Sequence, residues 1–307
     1  MSKHRSSFSS SIGFVLAAAG SAVGLGNIWR FPYLAAEGGG GLFLFIYIGL
    51  ALTFGFTLLM SEVAIGRKTK NSCLTAYKHM DKRFGWLGGF ASVIPFLILP
   101  YYCVIGGWVM KYAFSFIIGQ GATAAVYVFL GPEGMSGGPG LMFIAMPKIF
   151  AQMGVAGTVF GIIFFLMVLF AALTSSVSLL EAVVSGMVDK GMGRKKSTII
   201  ETVIALVIAV VVCLGYNLLY FEFKLPNSEN PGQILDILDY VSNNIMMPVL
   251  AIGTCILIGW ITKPKAIIDE ATKNGERFFR KHLYTAMVKF VAPVLLFILL
   301  LGSFGVY

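Results

Sequence analysis

Gly20-Ser21-Ala22-Val23-Gly24-Leu25-Gly26-Asn27 lies in the middle of an apolar run from about 12 to 36, and puts three glycines and two polar side chains where that run should be most regular. Glycine and asparagine weaken a helix, so the chain is predicted to be irregular here. What such a break means depends on the solvent around it. The 307 residues are 57% apolar and only 12% charged, against about a quarter charged in ordinary soluble domains, and the mean hydropathy is +0.84. A bilayer core takes about 20 apolar residues per helix. Seven such stretches can be marked, at approximately 12–36, 41–66, 84–118, 154–188, 198–220, 233–262 and 283–305. The predicted fold class is all-α: a polytopic membrane helical bundle of about seven transmembrane helices, with 1–307 a single membrane domain.

Lipid cannot satisfy freed carbonyl and amide groups, so irregular backbone inside a membrane must be buried in protein or line a cavity. In transporters such a break often marks the binding site, where released carbonyls coordinate cations and the start of the second half-helix faces an anion. Gly20 and Gly24 alone also fit a GxxxG packing face. Gly26 and Asn27 carry the weak stretch past such a face and add a side-chain oxygen.

A second oxygen-rich stretch lies in the fourth span, Ala171-Ala172-Leu173-Thr174-Ser175-Ser176. Thr174 and Ser175 fall three and four residues after Ala171 and share its face. Neutral oxygens of this kind suit a small monovalent cation, whereas a divalent ion usually recruits carboxylates. Taken alone, the same hydroxyls would bond back to the carbonyl one turn earlier. The third span carries Pro95 and Pro100, which predict a bend, followed by Tyr101 and Tyr102. Glu62 and Glu181 are carboxylates inside spans and must face protein or water.

The net charge is +9, yet a nucleic-acid partner would need those charges clustered on a soluble face. Instead 18 of the 23 Lys and Arg fall on alternate segments: Lys3 and Arg5; Arg67 to Arg83; Lys190 to Lys196; and Lys263 to Lys281. These are the cytoplasmic segments by the positive-inside rule. The amino terminus is predicted inside and the carboxyl terminus outside, the reverse of a seven-helix receptor. The basic start followed by Ala17-Ala18-Ala19 also fits a cleavable signal peptide, but the apolar character runs on to Ala36. Cysteines 73, 103, 213 and 255 offer no extracellular pair for a disulfide. His4, His79 and His282 fall in cytoplasmic segments or at their edge, with no metal spacing and no nucleophile beside a base. An enzyme is not expected.

Residues 20–33, ending Ile28-Trp29-Arg30-Phe31-Pro32-Tyr33, closely resemble the first-helix signature of the neurotransmitter:sodium symporters. A bacterial leucine transporter of that family is a source of the broken-helix logic above. Phe170 to Ser176, and Gly138-Pro139-Gly140-Leu141 with Met146-Pro147, resemble the family's eighth helix and the outer loop before it. The resemblance implies a sodium ion held by carbonyls of Gly20, Val23 and Ala171 and the hydroxyls of Thr174 and Ser175. It implies a second sodium touching Ala22 and Asn27. A substrate carboxylate would be held by the amides around Leu25 and Gly26 and by the Tyr102 hydroxyl, with Ala22, Gly24 and Ser175 beside it and Ile98 and Leu179 lining the side-chain pocket. An outer gate would pair Arg30 with Asp239, and an inner latch Arg5 with Asp189. Monoamine-carrying relatives place an aspartate where this chain has Gly24, so the implied substrate is an amino acid that brings its own carboxylate.

By this resemblance 1–118 corresponds to family helices one to three, 119–153 is an extracellular loop, and 154–307 corresponds to helices eight to eleven. Helices four to seven are missing, and with them the second broken helix and any chloride ligands, so the resemblance leaves chloride open. The expected fold is thus an incomplete version of the inverted-repeat sodium symporter fold. Four absent spans are an even number, so every remaining helix keeps its orientation. Two functions follow. One is sodium-coupled symport of amino acids across the cell membrane by alternating access. The other is a non-transporting family member, such as a deletion product, a regulator or a sodium-binding remnant. Polar groups left uncovered would be met by a second copy of the chain or by a full-length relative.

Overall fold

The computed structural model describes residues 10–119, 141–226 and 232–306. The regular elements in chain order are α1 (Ser11–Ala22), α2 (Leu25–Glu37), α3 (Gly41–Thr69), α4 (Cys73–Met80), α5 (Lys82–Ile117), α6 (Met146–Gln152), α7 (Gly154–Asp189), α8 (Arg194–Leu214), α9 (Ile234–Ile261), α10 (Lys265–Ala271) and α11 (Lys281–Ser303). Six of them, α3, α5, α7, α8, α9 and α11, are long and apolar enough to cross a bilayer. The expected span over 12–36 is two helices instead of one, α1 and α2, separated at Val23 and Gly24, both extended. The chain is a multi-pass membrane protein.

The bilayer explains what would be anomalous in water. Apolar side chains stand outward in number, among them Phe45, 78% exposed, and Val155, 85% exposed. Lipid is as apolar as they are, so no hydrophobic force drives them inward. α5 runs as one helix through Pro95 and Pro100. π-helical turns interrupt α3 at Ala51–Gly55, α9 at Tyr240–Met246 and again at Leu257–Ile261, and α11 at Met287–Val291. Such turns shift side chains around a helix and recur at functional positions.

The chain divides into two units. The first comprises residues 1–43 and 102–178. Its core is aromatic: Tyr112 and Phe116 each stack on Phe165, at 5.3 and 5.4 Å between ring centroids, and Phe143 and Phe150 close the cluster. Gly161 makes room for it, since a Cβ there would come within 2.4 Å of the Phe116 ring. The second unit comprises residues 44–101 and 179–307. Its core joins Ile65, Tyr77, Leu87, Leu257, Ile258, Tyr284 and Val288. Two hydroxyl pairs join across this core, Ser61 with Tyr284 at 2.8 Å and Tyr77 with Thr254 at 3.0 Å.

Candidate functional site

The break between α1 and α2 arises from two backbone donors finding partners outside the helix ladder. In a continuous helix the N–H groups of Gly24 and Leu25 would serve the carbonyls of Gly20 and Ser21, four residues earlier. Here Gly24 N–H donates to Asn27 Oδ1 at 2.9 Å, and Leu25 N–H donates to Tyr102 Oη at 2.8 Å. The carbonyls of Gly20 and Ser21 are thereby released at the negative end of α1.

Side chains of α7 meet both of them. Thr174 Oγ1 lies 2.9 Å from Gly20 O, 3.1 Å from Ala171 O and 3.1 Å from Phe170 O. Ser175 Oγ lies 3.2 Å from Ser21 O and 3.4 Å from Val23 O. A threonine hydroxyl carries one hydrogen, so the three carbonyls around Thr174 share a single proton, and two of them belong to α7 itself, one turn earlier. The oxygens expected for the first sodium, those of Gly20, Val23, Ala171, Thr174 and Ser175, thus fall into two groups of contacts on neighbouring residues of α7. They are all neutral, and among the described residues no group of three His, Cys, Asp or Glu side chains converges as a metal site. The donor set fits a monovalent ion better than a divalent one.

On the other side of the break, the start of α2 presents N–H groups. Leu25 is fully buried, and Gly26 has open space where a Cβ would stand. A Cβ on Gly24 would lie 3.0 Å from Tyr102 Oη and 3.8 Å from both Asn27 Oδ1 and Ser175 Oγ. Gly24, Leu25, Tyr102 and Ser175 are therefore brought together. Tyr102 Oη accepts from Leu25, which leaves its own proton to donate, and among the described residues none takes it. Asn27, expected at a second sodium, turns its Oδ1 back as the cap of α2. Asparagine three residues after the capping position is a spacing that could have signalled this role.

Ile98 and Leu179 belong to the second unit, Ile98 being buried and Leu179 half-buried. So do Asp239 and Asp189. Asp239 Oδ1 accepts from Tyr101 Oη at 3.0 Å and from Asn243 Nδ2 at 2.6 Å. Asp189 Oδ2 accepts from Ser72 N–H at 2.7 Å and from Thr75 Oγ1 at 3.0 Å. It sits at the amino end of α4, where the helix dipole favours a negative charge. Ser72, Thr75 and Tyr101 carried no sequence signal, because they are more than a hundred residues from the carboxylates they bind, whereas Asn243 lies one turn after Asp239 on the same helix. Arg5, Gly138, Pro139, Gly140 and the side chain of Arg30 lie outside the described residues. Glu181, without an assigned role in the sequence, pairs with Arg194 at 2.6 Å.

The model of the sodium:neurotransmitter symporter family matches residues 5–125 and 131–307. An uncharacterized sodium-dependent transporter of Bacillus subtilis, YhdH, is 46% identical over 107 residues, 34% of this chain and 24% of that protein. The sodium-dependent neutral amino acid transporter B(0)AT2 of Rattus norvegicus is 34% identical over 108 residues, 35% of this chain and 15% of that protein. The matched stretch thus spans about a quarter or less of the relatives' own length. The crystal structure of MhsT in complex with L-phenylalanine shares the fold, with a TM-score of 0.82 at 24% identity, covering 98% of this chain and 100% of that one.

Proposed function

The chain belongs to the sodium:neurotransmitter symporter family, and from that premise we propose that it is a sodium-coupled symporter of amino acids, working by alternating access around the break between α1 and α2. The observation that carries the proposal is the diversion of the Gly24 and Leu25 donors to Asn27 and Tyr102, which turns the freed carbonyls of Gly20 and Ser21 toward Thr174 and Ser175. Sodium would be cargo bound by these neutral oxygens. The amino-acid substrate would set its carboxylate against the start of α2 and the free proton of Tyr102. A relative that is a neutral amino acid transporter and a structural neighbour in complex with L-phenylalanine support the substrate class. Gly24 supports it too, because no side chain there supplies the charge that a substrate lacking a carboxylate would need. The alternation of basic segments supports an amino terminus inside and a carboxyl terminus outside.

The test is uptake of labelled amino acids into proteoliposomes that contain only the purified chain, with and without an inward sodium gradient. Accumulation driven by the gradient is expected, and its absence in folded protein would remove the transport reading. A second reading is a family member that binds sodium without carrying a substrate. It is favoured by the exposure of Asn27 and Thr174 and by the lack of any buried residue in α1. Sodium-dependent stabilisation without uptake would select it.

A further inference from the structure

The lower ends of α9 and α11 form a second constructed feature, wholly inside the second unit. The π-helical segments Leu257–Ile261 and Met287–Val291 meet there. Gly259 permits the approach, since a Cβ would lie 3.1 Å from Val288 O and 3.3 Å from Lys289 Cα. Trp260 Nε1 donates to Lys289 O at 3.3 Å, and the Lys289 ammonium stands 5.9 Å from the centroid of the same indole. Phe290 meets that indole edge-on at 5.7 Å. Trp260 and Phe290 are 56% and 57% exposed, so the cluster faces lipid.

Lys289 has no carboxylate partner among the described residues. It lies two helical turns beyond Lys281, about 12 Å along the axis at 1.5 Å per residue. A lone ammonium at that position is costly unless it snorkels or an anion comes to it. Lys281, Thr285 and Lys289 recur every four residues, which places successive members on adjoining faces of the helix, and Lys281 is exposed. The segment leading into α11 adds Arg277 and Arg280. Arg280 is already engaged, donating to Leu52 O at 3.2 Å and lying over the Phe56 ring. Tryptophan prefers the headgroup level of a bilayer, which sets Lys289 at the same depth.

We propose that this face binds an anionic phospholipid, its phosphodiester headgroup held by Lys289 and Lys281 and an acyl chain lying against Trp260 and Phe290. Charge complementarity selects the occupant: the leaflet on the side of the basic loops is the anionic one, and basic pockets between helices on that side bind acidic headgroups. This rests on the proposed orientation, with the amino terminus and the basic segments inside.

The experiment reads quenching of tryptophan fluorescence in detergent-purified chain by phosphatidylglycerol with brominated acyl chains, against phosphatidylcholine with the same chains. Phosphatidylglycerol is expected to bind several-fold more tightly. Lys289→Gln should weaken it about five-fold, the effect of one lysine near an anionic surface, while Lys289→Arg retains it. Lys281→Gln should act in the same direction and keeps the test alive if the Lys289 variant fails to fold. Lys224→Gln, in a loop between α8 and α9, should change nothing. Equal quenching by the two lipids, or no change in either lysine variant, overturns the proposal. So does displacement of the lipid by inorganic phosphate at matched ionic strength, which would make the face a free-phosphate site.

Discussion

Replacing Thr174 by alanine removes the one atom that touches the carbonyls of Gly20, Ala171 and Phe170 together. Two losses are expected, and they are separable. Without sodium the variant loses one hydrogen bond between α7 and α1, worth about 1 kcal/mol net. With sodium it also loses one ligand oxygen. A contact between a charge and a polar group is worth about 1.5–3 kcal/mol, and the upper part of that range corresponds to roughly a hundredfold in affinity. Sodium at about 100 times its Kd stabilises the unaltered chain by about 2.7 kcal/mol, whereas after a hundredfold weakening the same concentration equals Kd and stabilises by only about 0.4 kcal/mol. Thermal unfolding in detergent, titrated with sodium chloride at ionic strength held constant with potassium chloride, reads both numbers. Thr174→Ser should keep the sodium response and Thr174→Val should lose it. If Thr174→Ala lowers stability equally in sodium and in potassium, the hydroxyl is a packing contact and the assignment of the cation site fails.

Adding a methyl at Gly161 forces the Phe116 ring to move from its place in a packed aromatic cluster, so Gly161→Ala should destabilise by about 1–3 kcal/mol, measured by thermal unfolding. Asp189→Ala leaves Ser72 N–H and the Thr75 hydroxyl without their acceptor and should cost about 2 kcal/mol, with Asp189→Asn costing less, by the same measurement. Burial pushes the Tyr77 phenol above its ordinary value of 10.0, so the phenol is neutral in the fold at pH values where the unfolded chain ionises. Its contribution to stability is therefore complete below about pH 10 and is lost as pH climbs from there toward the folded value. Tyr77→Phe should flatten that alkaline part of the stability curve, although it also removes the bond to Thr254.

The break was legible because its cause is local: glycines and an asparagine weaken a helix whatever surrounds them, and only Val23 and Gly24 needed to leave it. The identity of the freed carbonyls was not, because it depends on Tyr102, 77 residues away along the chain, taking the Leu25 donor. The capping of α4 by Asp189 is hidden for the same reason. Prolines 95 and 100 both lie inside α5, which runs through them as one helix; a membrane helix tolerates proline because neighbouring groups satisfy the carbonyls it frees. The π-turns left no trace in the apolar pattern. A run that is apolar on every side, as at Leu257–Ile261 of α9, has the same composition whether its ladder closes four or five residues back.

The division of α1 from α2 gives one short stretch two opposite electrostatic faces. The carbonyl end of α1 is negative and the amide end of α2 is positive, and only two extended residues separate them. On the proposed function a cation at Thr174 and Ser175 would stabilise the first face, and a carboxylate near Leu25 and Tyr102 the second. Both ligands would require the helix to be broken at residues 23 and 24, so each would favour the conformation that the other needs. On the proposed function such coupling would be reciprocal by thermodynamic necessity: sodium would raise the affinity for the amino acid by the factor by which the amino acid raised that for sodium. Ser175 supports this link physically, since its hydroxyl touches the carbonyls of Ser21 and Val23 while standing 3.8 Å from where a Gly24 Cβ would lie. A site built on a single continuous helix would have neither face, because the donors of residues 24 and 25 would have closed the carbonyls of residues 20 and 21.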